Sequence, residues 1–339
     1  MYKLELLTRE KVKLLLHKRV GEVKFGEQVQ LLSSVSSIYE QLVNLDVSYV
    51  IIGLPEDVGV FANYGKSGAC NAWDATLKIL LNIQGNVFTQ PKKVAVLGHL
   101  LFTEQHHLDS LKQKSKSDIQ KARILVAEID RQVSALIADV VRAGKIPIVI
   151  GGGHNNAYGM IKGTSLALNH TLNIVNLDAH SDFRVKEGRH SGNGFSYAHS
   201  EGFLEKYYIF GLHENYTAEA IFNELNKLKN IAYCTYEAME VKGITSFKEA
   251  LDNAVAFVSE KPFGIEIDCD AIENIPSSAQ TPSGFSVAQT RRFVYQLAKE
   301  KHTSYIHICE AAPTKKTQSQ VGKLITYLIT DFIRARENQ

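Results

Sequence analysis

The chain has 339 residues, 45% of them hydrophobic and 22% charged, and carries a net charge of +2. These are the proportions of an ordinary globular protein, long enough for one large α/β domain or two smaller ones. The near-neutral balance argues against a dedicated nucleic-acid binder. No apolar run is long enough to span a bilayer, and Met1–Arg9 is too charged for a secretory leader. Its four cysteines, Cys70, Cys234, Cys269 and Cys309, lack zinc-finger spacing and suit a reducing cytoplasm.

In chain order, residues 1–45 predict a helical extension without identifiable chemistry, and residues 46–339 a single domain. Tyr49–Leu54, Val94–Gly98, Ile146–Ile150, Leu172–Leu177, Tyr207–Phe210, Ile231–Cys234, Phe263–Ile267 and Ile306–Cys309 predict strands. They are rich in Val and Ile and mostly lack alternation, as strands covered on both faces do. Lys112–Lys121, with its interleaved Ser and Gln, reads as a solvated helix face. Asp118–Ala143, closed by Gly144, carries helical periodicity, as do Ala218–Leu228, Ser286–Lys299 and Gln318–Arg336. Strand and helix alternate without a linker, a repeat or a low-complexity tract. The expectation is a three-layer α/β/α fold on a mostly parallel sheet of roughly eight strands.

In such sheets ligands bind beyond the carboxyl ends of the strands, and polar residues collect there. Gly151-Gly152-Gly153-His154 follows one strand, Asp178-Ala179-His180-Ser181-Asp182 the next, Asp268-Cys269-Asp270 another, and Glu310 the last. If the backbone stays extended, Asp178, His180 and Asp182 share a face, as do Asp268 and Asp270, with Cys269 turned away. Four converging carboxylates repel one another unless cations lie between them. Two divalent ions balance the four charges, and carboxylate with imidazole but no thiolate suits Mn²⁺ or a related borderline ion. Two such metals, roughly 3.5 Å apart, can activate a water between them.

The order Gly-Gly-Gly-His, Asp-Ala-His-Ser-Asp, Asp-Cys-Asp resembles the ureohydrolases: arginase, agmatinase and formimidoylglutamase. The resemblance covers roughly residues 48 to 335. It implies the arginase-like fold and two Mn²⁺ per chain, one held by His154, Asp178, Asp182 and Asp268, the other by His180, Asp178, Asp268 and Asp270. Asp178 and Asp268 would bridge, Asp182 would orient the attacking hydroxide, and Glu310 would face the cationic end of the substrate. The family's habit also implies a homo-oligomer.

Within the family, the triple glycine before His154 and the Arg at 184 resemble formimidoylglutamase. An Arg offers a fork for a carboxylate, and N-formimidoyl-L-glutamate carries two. Ser191-Gly192-Asn193-Gly194-Phe195 resembles that enzyme's substrate loop, which makes Arg184, Ser191, Gly192 and Asn193 candidate substrate contacts. The implied reaction is hydrolysis to L-glutamate and formamide, as in histidine degradation. Alternatives are an arginase, an agmatinase or another guanidino-acid hydrolase, a non-catalytic family member, and a zinc-dependent deacetylase of related fold. Asn63–Ala69 resembles the family's loop at the site's mouth. Its spacing from Gly59 to Gly65 is one residue too long for a phosphate loop. Three departures stand out. Glu266 occupies a position where the family usually has Ser, and as a fifth carboxylate needs either a cationic partner, for which Lys66, Arg184 and Arg189 are candidates, or a raised pKa. Glu273-Asn274 replaces the family's Asp-Pro, and the segment after Pro313 lacks its usual Asp.

Overall fold

The structure, a computed structural model, describes residues 2–103 and 115–337. Its centre is a nine-stranded sheet: β1 (Leu4–Leu6), β2 (Tyr49–Gly53), β3 (Val94–Leu100), β4 (Ile146–Ile150), β5 (Leu172–Leu177), β6 (Leu204–Leu212), β7 (Ile231–Thr235), β8 (Phe263–Asp268) and β9 (Thr303–Cys309). The order across the sheet is β1-β3-β2-β4-β9-β8-β5-β6-β7. All eight strands read from the sequence are present and parallel to their neighbours. The ninth, β1, runs antiparallel to β3. It lies in the segment expected to be helical, which also contributes the helices Arg9–Leu15, Phe25–Gln28 and Ile38–Asn44.

Helices cover both faces. On one, Ile148, Ile150, Val175, Leu177, Ile265, Ile267, Ile306 and Ile308 join a core with Phe293 and Leu297 of the helix Val287–Ala298 and with Ile325 and Phe332 of the helix Gln318–Glu337. On the other, Val149, Ile174 and Tyr305 join Ile129 and Val133 of the helix Lys116–Arg142 and Ile161 of the helix Asn156–Leu168. The helix Lys116–Arg142 starts where the Ser115 hydroxyl accepts the Asp118 N–H, and Gly144 (φ 74°) follows its end. Lys116, Ser117, Gln120 and Lys121 are exposed on it, as the basic stretch predicts; residues 112–114 lie outside the described residues. Among the described residues no helix is long and apolar enough to cross a membrane.

The second face has one interruption. Asn176, Glu266 and His307 are register partners on β5, β8 and β9, and all are fully buried. A polar row thus crosses three central strands just below their carboxyl ends.

Candidate metal centre

β4, β9, β8 and β5 are consecutive in the sheet, so His154, Glu310, Asp268 to Asp270 and Asp178 to Asp182 emerge side by side. The chain does not stay extended there. The Oδ1 of Asp178 accepts the backbone N–H of His180 at 2.7 Å, and the Oδ1 of Asp268 accepts that of Asp270 at 2.9 Å. Both strands therefore end in the same aspartate-capped turn. The aspartates converge through these turns rather than through strand alternation. Cys269 faces the opposite core, as expected.

The Nδ1 of His154 lies 2.9 Å from Asp182 Oδ2, 3.1 Å from Asp268 Oδ2 and 3.3 Å from Asp178 Oδ2. The Nδ1 of His180 lies 3.1 Å from Asp270 Oδ2 and 3.6 Å from Asp178 Oδ1. Asp178 thus turns one oxygen towards each imidazole. All six residues expected to bind metal are brought together, in the clusters His154, Asp178, Asp182, Asp268 and Asp178, His180, Asp270.

The donor set fits divalent cations. Despite its three close carboxylates, His154 Nδ1 is aligned for a hydrogen bond with none, and Asp270 Oδ1 is buried without a hydrogen bond. Burial, then the charges of Asp270 and Asp178, push the Asp268 carboxyl well above its usual range; burial and Asp178 also raise Asp182. Burial also acts against Asp178, but His154 and His180 outweigh it and hold that carboxyl low. Four ionised carboxylates here call for more positive charge than two imidazoles bring. Cys309 also lies beside His154 and Asp268, where burial pushes its thiol well up.

The loop carrying His154 is held by Glu56, which sequence reasoning missed. Its Oε1 accepts from Gly153 N (3.0 Å), Asn155 Nδ2 (3.3 Å) and Asn156 Nδ2 (2.7 Å). Its Oε2 accepts from the backbone N–H groups of Val58 (2.7 Å) and Gly59 (3.2 Å). One buried carboxylate thereby ties the loop after β2 to the loop after β4. Gly152 shows why the latter is glycine: its φ is 73°, and a Cβ would lie 2.9 Å from Glu56 Oε1.

None of the cationic partners expected for Glu266 reaches it. Its Oε1 accepts from the Tyr305 hydroxyl at 2.7 Å, and its Oε2 from His307 Nδ1 at 2.6 Å, with His154 Nε2 at 3.5 Å. Burial alone would raise this carboxyl, but His307 and His154 outweigh it and bring it to about 2. Glu266 therefore stands behind His154 and adds no fifth carboxylate to the cavity lining.

That cavity, of about 620 Å³, is lined by Asp182, Arg184, Ser191, Gly192, Asp268, Asp270 and Glu310, among others. Asp182 (φ 43°) and Glu310 (φ 60°) are non-glycine residues in the left-handed region, a strain that clusters at functional sites. Glu310 accepts His154 N–H (2.8 Å) and the Ser278 hydroxyl (2.5 Å), and burial pushes it up to about 8. At the mouth, exposed Arg184 donates to Asn63 Oδ1 at 2.6 Å, and Asn63 Nδ2 donates to Ser191 Oγ at 3.1 Å. Tyr216 stands beside His180, ring centroids 5.9 Å apart. Asn63 belongs to the segment expected at the site's mouth, whereas Ser278 and Tyr216 carry no sequence motif and were not anticipated.

Asn193 does not fit the expected role. It is buried, accepts from Arg189 Nη1 (2.5 Å) and His190 N (3.1 Å), donates to Gly188 O (2.8 Å), and does not line the cavity. It shapes the loop from inside. His190 is fully buried with Nδ1 accepting from Gly192 N–H, and burial with Arg184, Arg123 and Arg189 pushes it down to about 3. A second cavity, of about 600 Å³, lies across the Arg189–Asp130 ion pair, and among the described residues it holds no metal-ligand cluster.

Residues 47–334 match the family model for the arginase family. A formimidoylglutamase of Geobacillus thermodenitrificans is 27% identical over 281 residues, 80% of this chain and 79% of that protein. One of Hahella chejuensis is 32% identical over 188 residues, 52% of this chain and 51% of that protein, so the match spans about half of the latter's length. Formimidoylglutamase from Bacillus subtilis superposes with a TM-score of 0.74 at 18% identity, covering 95% of each chain. Trypanosoma cruzi formiminoglutamase, solved with Mn²⁺, gives 0.70 at 18% identity, covering 93% of this chain and 98% of that one. The sheet order, the strand-end cluster of His and Asp and the family match over most of the chain agree: this protein belongs to the arginase family.

Proposed function

We propose that the chain is a dimanganese hydrolase that cleaves a C–N bond of a linear amidine, with N-formimidoyl-L-glutamate as substrate. The observation that carries this reading is the shared aspartate. His154 and His180 approach opposite oxygens of Asp178, an arrangement suited to two cations with a carboxylate between them. The formimidoylglutamase relatives and the manganese in a neighbour of the same fold support the substrate and the metal. His154, Asp178, Asp182 and Asp268 would hold one ion, and His180, Asp178, Asp270 and Asp268 the other. Asp178 Oδ1 and Asp268 Oδ1 each keep a lone pair beyond their backbone hydrogen bond.

When bound, a manganese pair lowers the pKa of water and polarises a C=N group. Asp182 faces the cavity and orients the attacking water, accepting its proton. Glu310 accepts from the N–H groups of the amidine. Arg184, steadied by Asn63, offers its guanidinium fork to a substrate carboxylate, and Ser191 and Gly192 line the same wall. Water adds to the amidine carbon, the bond to the glutamate nitrogen breaks, and that nitrogen takes up a proton; the products are L-glutamate and formamide. Family membership and four free cysteines support a reducing cytoplasm and a homo-oligomer, and light scattering on the purified chain measures the latter.

The deciding assay supplies Mn²⁺-loaded chain with N-formimidoyl-L-glutamate, arginine and agmatine. Formamide from the first and no urea from the others is expected. Urea release without formamide would move the chain to the arginase or agmatinase branch. No turnover by a chain that binds no manganese would leave a non-catalytic family member.

A further inference from the structure

We propose that Glu266 is a positioning residue for one of the two metal sites: its carboxylate, fixed by Tyr305 and His307, faces the Nε2 of His154 and keeps the ring turned so that Nδ1 meets Asp178, Asp182 and Asp268. This rests on the metal-centre reading above. A neutral imidazole carries one N–H, and a carboxylate beside Nε2 places it there, which leaves the Nδ1 lone pair for a cation. Among the described residues Nε2 of His154 makes no hydrogen bond, and Glu266 Oε2, at 3.5 Å, is the acceptor it faces.

Glu266 cannot swing away. Each of its oxygens accepts from a separate fully buried donor on β9, Tyr305 and His307. His307 Nε2 lies 3.4 Å from Gly151 O, so the same network touches the glycine loop that carries His154. Phe195 closes the ring from its side, edge-on at 5.1 Å between centroids. His180 has a different setting. It is 33% exposed, its Nδ1 faces Asp178 and Asp270, and its only described ring neighbour is Tyr216. Glu266 should therefore govern one metal site and spare the other, an asymmetry that a general stabilising role would not produce.

The test is a calorimetric Mn²⁺ titration of the metal-stripped full-length chain, read as two binding steps. Glu266→Gln keeps size and removes the charge. It is expected to weaken one step about 10–100-fold and shift the other by less than about threefold, the range for outer-sphere partners of a metal-bound histidine. Asp182→Ala, which alters only the His154 site, should abolish the step that Glu266→Gln weakens. Should Glu266→Gln not fold, Tyr305→Phe, which frees one Glu266 oxygen, carries the test, with the same step weakened by roughly 3–10-fold. Two unchanged steps, or two that fall together, overturn the proposal. A wild-type chain that takes up no Mn²⁺ overturns the metal-centre reading as well; two wild-type steps that Glu266→Gln leaves intact sink this inference alone.

Discussion

His154 and His180 present the same ring nitrogen to the same aspartate from opposite surroundings. His154 is fully buried, its loop tied down by Glu56 and its backbone N–H bound by Glu310. His180 stands at the cavity wall beside an exposed tyrosine. The buried side is built as part of the core, whereas the open side can meet a substrate. In a protein interior, rigid placement costs desolvation, and most buried polar groups are held by hydrogen bonds. The contrast teaches that only one half of the centre is armoured in this way, and the two halves should respond differently to perturbation.

The harshest break is at the residue they share. Asp178→Ala is expected to lower manganese content below one ion per chain and reduce turnover by more than about 100-fold, read by elemental analysis and steady-state assay. Retention of two ions would show that the imidazoles do not depend on a common carboxylate. Next comes the armour itself. Glu56→Ala strips the acceptor from five donors, and a loss on the order of 3 kcal/mol is expected in denaturant unfolding of the metal-free chain, since each unsatisfied buried donor costs roughly 1–3 kcal/mol and water can satisfy some. A change below ~1 kcal/mol would mean that the loop holds without it.

The loop leading from the open side to the buried side gives a pH signature. His190 is held neutral in the fold, with its pKa depressed to about 3, against an unfolded value of about 6.5. Its contribution is present above about 6.5 and is lost as pH falls from there towards about 3, because the unfolded chain takes up the proton first. Between pH 7 and pH 5 the wild type should lose on the order of 2 kcal/mol more than His190→Gln does. Equal losses would mean that the buried ring protonates freely. The smallest effect belongs to the open side. Tyr216→Ala should raise KM about two- to fivefold while stability moves by less than ~0.5 kcal/mol and both manganese steps stay in place. A weakened manganese step would give His180 an armour of its own.

Much of this was legible in the sequence, for physical reasons. Strands buried on both faces leave uninterrupted apolar runs, and the polar residues that break those runs at Asp178, Asp268 and His154 had to be strand ends. β1 escaped notice because three residues carry no period. Glu266 was noticed, but its partners were misjudged: salt-bridge logic favoured Lys or Arg, whereas the β8–β9 register supplied Tyr305 and His307. Glu56 was missed because its partners Gly153, Asn155 and Asn156 are about a hundred residues away. Asn193 was misassigned because adjacency to Ser191 and Gly192 in a tight turn says nothing about which way a side chain points.

The polar row of Asn176, Glu266 and His307 also bears on how the chain finds its fold. These residues come from strands far apart in sequence and share one level of the sheet. A slip of β8 by a single residue would turn Glu266 into the apolar layer beneath the helices Val287–Ala298 and Gln318–Glu337 and strand a buried charge among Ile, Leu and Phe. The Val, Ile and Leu side chains that fill both faces of runs such as Leu172–Leu177 and Phe263–Ile267 tell one register from another only weakly. The row of polar side chains adds discrimination that the apolar ones lack, so the network behind His154 also disfavours mispaired strands.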